Sequence, residues 1–343
     1  MQEPFHIGGV EVGAGQRLTL DLPVARLQTH AELTMPVQVL HGTRPGPRLF
    51  VSAAMHGDEI NGVEIIYRLL QRLPFRRLKG TLIAVPVTNV YGFINQSRYL
   101  PDRRDLNRFF PGSEKGSLAS RLAWLFMQEI ATHCTHGIDL HTGSNHRHNL
   151  PQIRADMKDP ETQRLAQEFG APVVLHSPLR QGSLREAVGM RGIPILLYEA
   201  GEALRFDELS IRVGVQGILA VMRAIGMLPA SRRQRALVKP LTARSSTWVR
   251  APISGILRTP IGLGRHVSAQ YAMGTIGDPF GEDTVTVKAP ADGLVIGRLA
   301  LPLVYQGDAL FHLARFDEVV DVEGILEAFE VGVEGPSEGD SLL

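Results

Sequence analysis

Strand-like and helix-like segments alternate between residues 48 and 227, and this alternation restricts the fold more than any other feature of the chain. In the first helical segment Val63, Ile66 and Leu70 recur at steps of three and four residues. We predict strands at 48–54, 81–87, 137–140, 172–176 and 194–199. We predict helices at 59–73, 117–133, 159–169, from 183 onward and at 207–227. Such alternation is typical of an α/β domain with a mixed, largely parallel sheet and flanking helices.

The pattern changes after residue 230, which we predict to end the α/β domain of residues 1–230. Residues 231–250 carry six basic residues and no acidic one, and we predict a basic linker at 231–245. Short strands punctuated by Gly and Pro follow, and residues 249–257 are echoed by residues 287–295. Two related half-motifs of this length predict a small β-sandwich domain at 246–343. This domain ends in an acidic tail with nine acidic residues and no basic one after Phe316.

Composition excludes several classes of partner and location. The formal net charge of the 343 residues is +1, which gives no reason to expect a nucleic acid or an anionic membrane. No apolar run approaches the length that spans a bilayer, and no secretory leader is recognisable at the start. Cys134, the only cysteine, is predicted to be a buried structural thiol. We therefore expect a cytoplasmic protein, and the sequence leaves a homo-oligomer open.

Two histidines follow predicted strands and indicate a metal site. His56 and Glu59 lie where the first predicted strand meets the first predicted helix, and His141 follows the strand at 137–140. Catalytic zinc takes three protein ligands of the His₂Glu kind and keeps a fourth position for water. His56, Glu59 and His141 supply this set. Asp139 is a candidate to accept a hydrogen bond from one of the two imidazoles, and the sequence does not say which.

An acidic residue ends another predicted strand and is a candidate general base. Glu199 follows the apolar run at 194–198, and a carboxylate beside zinc can take a proton from water. Glu202 is the alternative, but it lies past the end of the strand, where we expect it to face solvent. Glu199 is therefore the predicted base.

A polar segment rich in arginine lies at 97–108, between two α/β elements. A guanidinium group can hold a carboxylate with two parallel hydrogen bonds. The segment is therefore suited to binding a substrate carboxylate.

Four motifs occur in a specific order: His-Gly-Asp-Glu at 56–59, Arg-Tyr at 98–99 with Asp-Leu-Asn-Arg at 105–108, Asp-Leu-His-Thr at 139–142, and Glu-Ala-Gly at 199–201. In them the chain resembles the succinylglutamate desuccinylase/aspartoacylase family over roughly residues 45–225. The resemblance implies a zinc amidohydrolase with the carboxypeptidase-like α/β fold and one Zn²⁺ per chain. It implies the following roles: His56, Glu59 and His141 as zinc ligands, Glu199 as general base, Arg98 as stabiliser of the oxyanion, and Asn107 and Arg108 as ligands of the substrate carboxylate.

The chain also differs from the best-known members of that family. The loop between Arg98 and Asn107 is about two residues longer than in aspartoacylase. The sequence offers no clear counterpart of the basic residue that reads a second substrate carboxylate. Bacterial relatives that deacetylate acetyl-diaminobutyrate in ectoine breakdown provide one specific interpretation of the substrate.

The C-terminal half-motifs resemble a biotinyl/lipoyl-like β-sandwich. Carrier domains of that type need a lysine at the tip between the halves, and residues 278–284 contain none. We therefore expect this domain to narrow the mouth of the active site or to support an oligomer, and not to carry a swinging arm.

Taken together, the sequence predicts a deacylase that uses zinc to hydrolyse the amide bond of a small N-acyl amino acid. Two alternatives remain: a zinc carboxypeptidase acting on short peptides, and a metal-binding protein without turnover. No Gly-x-Ser-x-Gly motif, phosphate-binding loop or dinucleotide fingerprint occurs, so serine hydrolase and nucleotide chemistry have no support.

Overall fold

A computed structural model describes residues 2–230 and 240–316. Within these residues the α-helices are α1 (Asn61–Arg72), α2 (Val90–Ile94), α3 (Leu118–Glu129), α4 (Pro160–Phe169), α5 (Leu184–Gly189) and α6 (Glu208–Ala224). Five of them begin at a residue whose side chain accepts a hydrogen bond from the first turn: Asn89, Ser117, Asp159, Ser183 and Asp207. Such caps satisfy backbone N–H groups that have no partner inside the helix.

The strands of the described residues are β1 (Phe5–Ile7), β2 (Val10–Val12), β3 (Arg17–Arg26), β4 (Glu32–His41), β5 (Arg44–Ser52), β6 (Lys79–Val85), β7 (His136–Gly143), β8 (Arg147–Ala155), β9 (Val173–His176), β10 (Ile195–Glu202), β11 (Leu241–Ala243), β12 (Ser245–Arg250), β13 (Gly255–Arg258), β14 (His266–Val267), β15 (Ala272–Gly277), β16 (Thr284–Lys288), β17 (Gly293–Leu299), β18 (Leu303–Val304) and β19 (Ala309–Arg315). Every strand predicted between residues 48 and 199 is present, with ends shifted by a few residues.

A 13-stranded mixed sheet forms the centre of the molecule. Its middle strands run in the order β6-β5-β7-β10, and all three pairs are parallel. The flanking pairs β4–β6, β3–β4 and β8–β10 are antiparallel. The predicted mixed sheet is therefore confirmed. The predicted strands form its parallel middle, and the antiparallel pairs that flank them involve β3, β4 and β8, which were not predicted from the sequence.

Helices cover both faces of this sheet, as predicted. On one face α1, α4 and α6 enclose a core that includes Ile65, Leu165 and Ile218. On the other face α3 and α5 enclose a second core that includes Phe126 and Leu184. Since successive residues of a strand point to opposite faces, a strand buried on both sides is apolar throughout. This explains the continuous apolar runs of the predicted strands.

The C-terminal strands are not separate from the central sheet. β8 pairs with β9 through its second half and with β17 through its first half, where Asn149 opposes Gly297. β17 continues to β19 and β12, which form the outer end of the same sheet. The backbone hydrogen bonds of β8 therefore join the C-terminal region directly to the α/β region.

The predicted all-β region is present as two layers. A four-stranded sheet of order β16-β15-β13-β18 packs against the layer containing β12, β17 and β19. Val249 and Phe311 from one layer share a core with Leu257 and Ile276 from the other. The likeness to a biotinyl/lipoyl-like sandwich stays a prediction, as do the domain boundaries.

The predicted linker at 231–245 is only partly described. Residues 231–239 lie outside the described residues, and so does the predicted acidic tail at 317–343. The linker prediction is wrong for residues 241–245, because Leu241–Ala243 forms β11, which pairs in parallel with β9, and β12 begins at Ser245. This pairing joins residues about 68 positions apart (Leu241 with Val173), so local composition does not reveal it.

Candidate active site

The candidate residues collect where parallel strands of the sheet end. His56 follows β5, His141 lies near the end of β7, and Glu199 lies in β10. Glu199 is the register partner of His141, so the two residues are neighbours across adjacent parallel strands. Ligands of open α/β sheets bind at this carboxyl edge. The structure thus brings the predicted residues of three separate motifs to one place.

The turn after β5 depends on a glycine. A Cβ atom on Gly57 would lie 1.9 Å from the backbone carbon of Gly92 in α2. Only glycine permits this close approach. The turn that carries His56 and Glu59 therefore packs directly against the backbone of α2.

His56, Glu59 and His141 form one buried cluster. Their potential ligand atoms all lie within 4.8 Å of one another. Glu59 Oε1 is 2.8 Å from Nδ1 of His56, and Glu59 Oε2 is 2.7 Å from Nδ1 of His141. The backbone N–H of Thr142 also donates to Glu59 Oε2 at 3.1 Å. This cluster is the predicted ligand set, and its role in binding metal stays a prediction.

Each imidazole of the cluster has a carboxylate behind it. Nε2 of His141 is 2.8 Å from Asp139 Oδ2, and Nε2 of His56 is 3.1 Å from Asp105 Oδ1. Ser52 donates to the other oxygen of Asp139 at 2.7 Å. Asp139 therefore serves His141, which the sequence left open. Asp105 was not predicted for this position, although it lies in the Asp-Leu-Asn-Arg motif.

The charges of the cluster oppose the effect of burial. Burial alone would lower the pKa of His141, but Asp139 and Glu59 outweigh it and raise the pKa well above its usual value. Burial also opposes protonation of His56, and the carboxylates of Glu59 and Asp105 raise its pKa. Burial would raise the pKa of Glu59, but the two imidazoles hold it well below the usual value. The carboxylates around the two imidazoles therefore favour positive charge at this position.

This donor set suits zinc. Zn²⁺ binds His₂Glu sets, and its histidine ligands usually donate their other ring N–H to a carboxylate. Both histidines present Nδ1 to the shared centre and Nε2 to an aspartate. The residues present therefore fit the metal that the sequence predicted.

Arg98 lies beside this cluster. Its Nη1 donates to Glu59 Oε1 at 3.2 Å and lies 3.1 Å from His56 Nδ1, and its Nη2 donates to Asp105 Oδ2 at 2.9 Å. Burial would lower the pKa of Arg98, but Glu59 and Asp105 raise it. The guanidinium group is thus held in the cluster by two carboxylates.

Asn107 and Arg108 follow Asp105 in a short 3₁₀ helix. Asn107 is buried, and its Oδ1 accepts a hydrogen bond from the backbone N–H of Leu184 at 2.9 Å. Arg108 is half-buried, with Nη2 3.9 Å from Asp105 Oδ2. Both side chains line the same cavity as the histidine cluster. Their role in binding substrate stays a prediction.

Glu199 is held by two residues of β8. Asn149 Nδ2 donates to Glu199 Oε1 at 2.8 Å, and Arg154 Nε lies 2.5 Å from Glu199 Oε2. Glu199 lines the cavity. Glu202, the alternative base, is not among the lining residues in the described part of the chain and lies 3.6 Å from Arg205. The placement of the two residues agrees with the choice of Glu199, whose catalytic role stays a prediction.

A family model for the succinylglutamate desuccinylase/aspartoacylase catalytic domain matches residues 45–225, more than half of the chain. The chain belongs to this family. Its four matching motifs all reach the edge of the sheet described above. The members that give the family its name cleave the carbon–nitrogen bond of linear amides, and the chain is accordingly a hydrolase of this class.

Relatives extend the likeness to nearly the whole chain. The N-alpha-acetyl-L-2,4-diaminobutyric acid deacetylase of Halomonas elongata is 26% identical over 330 residues, which cover 92% of this chain and 94% of that enzyme. The product-bound ectoine utilization protein EutE (DoeB) from Ruegeria pomeroyi superposes with a TM-score of 0.80 at 23% identity, over 91% of this chain and 98% of that one. A succinylglutamate desuccinylase/aspartoacylase from Rhodobacter sphaeroides gives a TM-score of 0.78 at 23% identity, over 88% and 96%. These structures show that the fold of the family is present.

The cavity of this family member has a volume of about 430 Å³ and includes residues that the sequence did not indicate. Among them are Asn149 and Arg154 on β8, Arg185 on α5, and Trp248 on β12. Trp248 shows that the C-terminal region reaches the cavity. None of these four lies in a recognisable motif, and they come from three separate elements of the fold.

Other histidines and the thiol lie elsewhere. His146, His148 and His176, whose roles the sequence left open, are not among the cavity-lining residues of the described chain. Cys134 is a buried free thiol, as predicted, and burial raises its pKa. Among the described residues no helix is long and apolar enough to cross a membrane. The cytoplasmic location and the oligomeric state stay predictions.

Proposed function

We propose that the chain is a zinc-dependent deacylase that hydrolyses the amide bond of a small N-acyl amino acid. The observation that carries this proposal is the buried His56–Glu59–His141 cluster, with a carboxylate behind each imidazole and Glu199 on the neighbouring strand. The curated relative named for deacetylating N-alpha-acetyl-L-2,4-diaminobutyric acid supports the same reaction class.

His56, Glu59 and His141 would hold one Zn²⁺ per chain. The ion would supply Lewis acidity, which lowers the pKa of water from 15.7 towards about 7 and polarises a carbonyl group. Asp139 and Asp105 keep both imidazoles turned with Nδ1 towards the shared centre. They thereby fix the geometry of the ligand set before any ion arrives.

Glu199 acts as general base and then as general acid. It takes a proton from water at a carboxylate oxygen and delivers it to the nitrogen of the leaving amine. Asn149 and Arg154 hold its two oxygens from β8, which fixes the orientation of the carboxylate in the cavity. Rigid support of this kind preserves the short distances that proton transfer needs.

Arg98 stabilises the negative charge that develops on the carbonyl oxygen. A well-placed donor of this kind contributes about 3–4 kcal/mol to catalysis. Because Glu59 and Asp105 already hold the guanidinium group, little reorganisation is needed when that charge appears. Asn107 and Arg108, which line the same cavity, hold the carboxylate of the amino-acid part.

The decisive variant is Glu199→Gln, compared with Glu202→Gln. We expect Glu199→Gln to bind zinc as the wild type does and to lose about 10²- to 10⁴-fold in kcat, because general acid–base catalysis contributes roughly that factor. Glu202→Gln serves as the matched control, since Glu202 lies on the same strand outside the cavity lining. Near-normal turnover in Glu199→Gln would end the assignment of the base.

The carboxypeptidase alternative predicts a different substrate. Trp248 of the C-terminal region lines the cavity together with residues of the α/β region, which favours small acyl amino acids over peptides. Turnover of N-acetyl amino acids should therefore exceed that of dipeptides. Faster cleavage of dipeptides would support a carboxypeptidase, and turnover of neither class by zinc-loaded protein would support the non-catalytic alternative.

A further inference from the structure

Gln152 is a buried amide whose polar atoms have no partner. It lies in β8 and is 0% exposed, and neither its Oε1 nor its Nε2 makes a hydrogen bond within the described residues. Burying an amide without hydrogen bonds costs free energy that an apolar side chain of the same size would not cost. Such a group in a folded chain requires an explanation, and a role in function is one of the few available.

The position of Gln152 points to Glu199. The two residues are register partners in the antiparallel pair of β8 and β10. Their chain neighbours Ile153 and Tyr198 pack into the core enclosed by α1, α4 and α6. Since successive residues of a strand point to opposite faces, Gln152 and Glu199 both point to the other face, where Glu199 lines the cavity. The side chains of such cross-strand partners lie next to each other, with Cβ atoms about 4.5–5.5 Å apart.

The other residues that flank Gln152 on this face offer it no acceptor-and-donor partner. Val173 is its register partner in β9, and Leu150 lies two residues before it in β8. Both side chains are apolar and belong to one buried cluster. Arg154, two residues after Gln152, carries only donors and contacts Glu199. Among these four flanking residues, Glu199 is therefore the one whose side chain can accept a hydrogen bond and, when protonated, donate one.

Proton transfer changes what Glu199 needs from its neighbours. As a carboxylate it only accepts, and Asn149 Nδ2 and Arg154 supply donors to its two oxygens. Once Glu199 has taken a proton from water, one oxygen carries an O–H group that needs an acceptor. Arg154 has no acceptor, and Asn149 Oδ1 faces β17, where a Cβ atom on Gly297 would lie 2.7 Å from it. Neither present partner therefore offers an acceptor to the protonated carboxyl group.

We propose that Gln152 is a positioning residue whose Oε1 accepts a hydrogen bond from the protonated carboxyl group of Glu199. This inference rests on the proposed function, because it concerns the interval between the two proton transfers of that reaction. In the first transfer an O–H bond of water breaks and the O–H bond of Glu199 forms. In the second the O–H bond of Glu199 breaks, and an N–H bond forms on the leaving amine as the amide C–N bond breaks. Between them Gln152 holds the O–H group in place.

The main test replaces Gln152 by methionine, which has a similar length and no amide. The substrate is whichever of N-acetyl-L-aspartate, N-acetyl-L-alanine and Nα-acetyl-L-2,4-diaminobutyrate the wild type hydrolyses fastest. We expect kcat of Gln152→Met to fall by about 3- to 10-fold, which corresponds to one hydrogen bond of ordinary strength. KM should stay at the wild-type value, because Gln152 is not among the cavity-lining residues of the described chain. Gln163→Met is the matched control, since Gln163 is exposed on α4.

A double variant shows whether Gln152 acts through Glu199. In Glu199→Gln the side chain at position 199 no longer takes up a proton, so adding Gln152→Met should cause no further loss of the residual kcat. The zinc content of Gln152→Met should equal that of the wild type. A full further loss of kcat in the double variant, or loss of zinc from Gln152→Met, would show that Gln152 supports the site as a whole, and the inference would be overturned.

Thermal unfolding provides a readout that does not depend on turnover. Because the amide has no partner in the resting chain, Gln152→Met removes the cost of burying it. We therefore expect a Tm equal to or above that of the wild type, with and without zinc. Gln152→Leu repeats the measurement with an apolar side chain of a different shape. A Tm several degrees below the wild type in both variants would show that Gln152 has permanent partners and would contradict the inference.

The outcomes separate this inference from the proposed function. If Glu199→Gln loses turnover while Gln152→Met keeps the wild-type kcat, the inference is overturned and the deacylase stands. If Glu199→Gln keeps near-normal turnover, or the wild type hydrolyses none of the three substrates, the proposed function fails and the inference fails with it. A lower kcat at unchanged KM and undiminished Tm, absent from the Glu199→Gln background, supports both.

Discussion

Buried histidines in the two regions of the molecule have opposite electrostatic surroundings. His56 and His141 of the α/β region are 4% and 6% exposed, and His312 of the C-terminal region is 3% exposed. The first two contact carboxylates through both ring nitrogens, and their pKa values are raised. His312 stacks on Trp248 at 4.3 Å between ring centroids, and burial with the charge of Arg154 lowers its pKa to about 3.

The comparison teaches that the partners of a buried histidine, and not its burial, decide whether it can serve as a cation site. At the carboxyl edge of the sheet Glu59, Asp105 and Asp139 surround two imidazoles. At the C-terminal junction an aromatic ring covers the imidazole, whose Nδ1 has no hydrogen-bond partner among the described residues. His312 is therefore a packing residue, although it lies close to the cavity-lining Trp248.

The largest expected effect is the loss of bound zinc when a histidine of the α/β region is substituted, but not when His312 of the C-terminal region is. Wild-type protein purified without chelator should contain about one zinc per chain, and His56→Ala or His141→Ala should contain close to none, because a His₂Glu site needs all three ligands. His312→Ala should keep the metal. Mass spectrometry of the metal content measures all of these. Retention of zinc by both cluster variants would refute the assigned ligands.

A smaller effect is expected from the carboxylates behind the imidazoles. Asp105→Asn and Asp139→Asn should each weaken zinc binding by about 10- to 100-fold, as observed for residues that orient metal-binding histidines. Asp102→Asn is the control, because Asp102 lies in the same loop as Asp105 but contacts only Arg104 in the described chain. Competition with a chelator gives the affinities. Equal affinities in all of these variants would show that the aspartates do not orient the ligands.

The last expected effect concerns stability in acid and involves the C-terminal histidine alone. The pKa of His312 is about 3 in the folded chain and about 6.5 in the unfolded chain, so only the unfolded chain binds a proton between these values. The stability contributed at neutral pH is therefore lost as the pH falls from about 6.5 towards 3, by at most about 1.4 kcal/mol per pH unit.

His312→Phe keeps an aromatic ring against Trp248 and removes the titration. We expect its free energy of unfolding to fall less steeply between pH 6.5 and pH 4 than that of the wild type, as measured by urea denaturation. His176→Phe controls for the loss of a histidine elsewhere. Parallel curves for His312→Phe and the wild type would show that His312 is not the titrating group.

Much of the candidate site was accessible from the sequence because its residues lie at the ends of strongly apolar strands. His141 and Glu199 each close such a run, and His56 and Glu59 lie in the turn between a strand and a helix. The parallel order of β5, β7 and β10 then places these ends at one edge. Local patterns thus indicated which residues to expect at this edge of the sheet.

The tertiary structure alone decided the surroundings of these residues. β8 follows no strong local pattern, yet it presents Asn149 and Arg154 to Glu199 and joins β17 of the C-terminal region. Strand pairing depends on partners distant in the chain, and so the support of Glu199 was not predictable.

The sequence by itself determined the candidate set of His56, Glu59, His141 and Glu199, because local apolar patterns indicate where strands end. Only the folded chain decided which carboxylate neutralises which cation. His56 contacts Asp105, which lies 49 residues further along the chain. Arg154 contacts Glu199 on the adjacent antiparallel strand. Arg185 obtains none among the described residues, since electrostatic partners are set by proximity in space, which the order of residues does not encode locally.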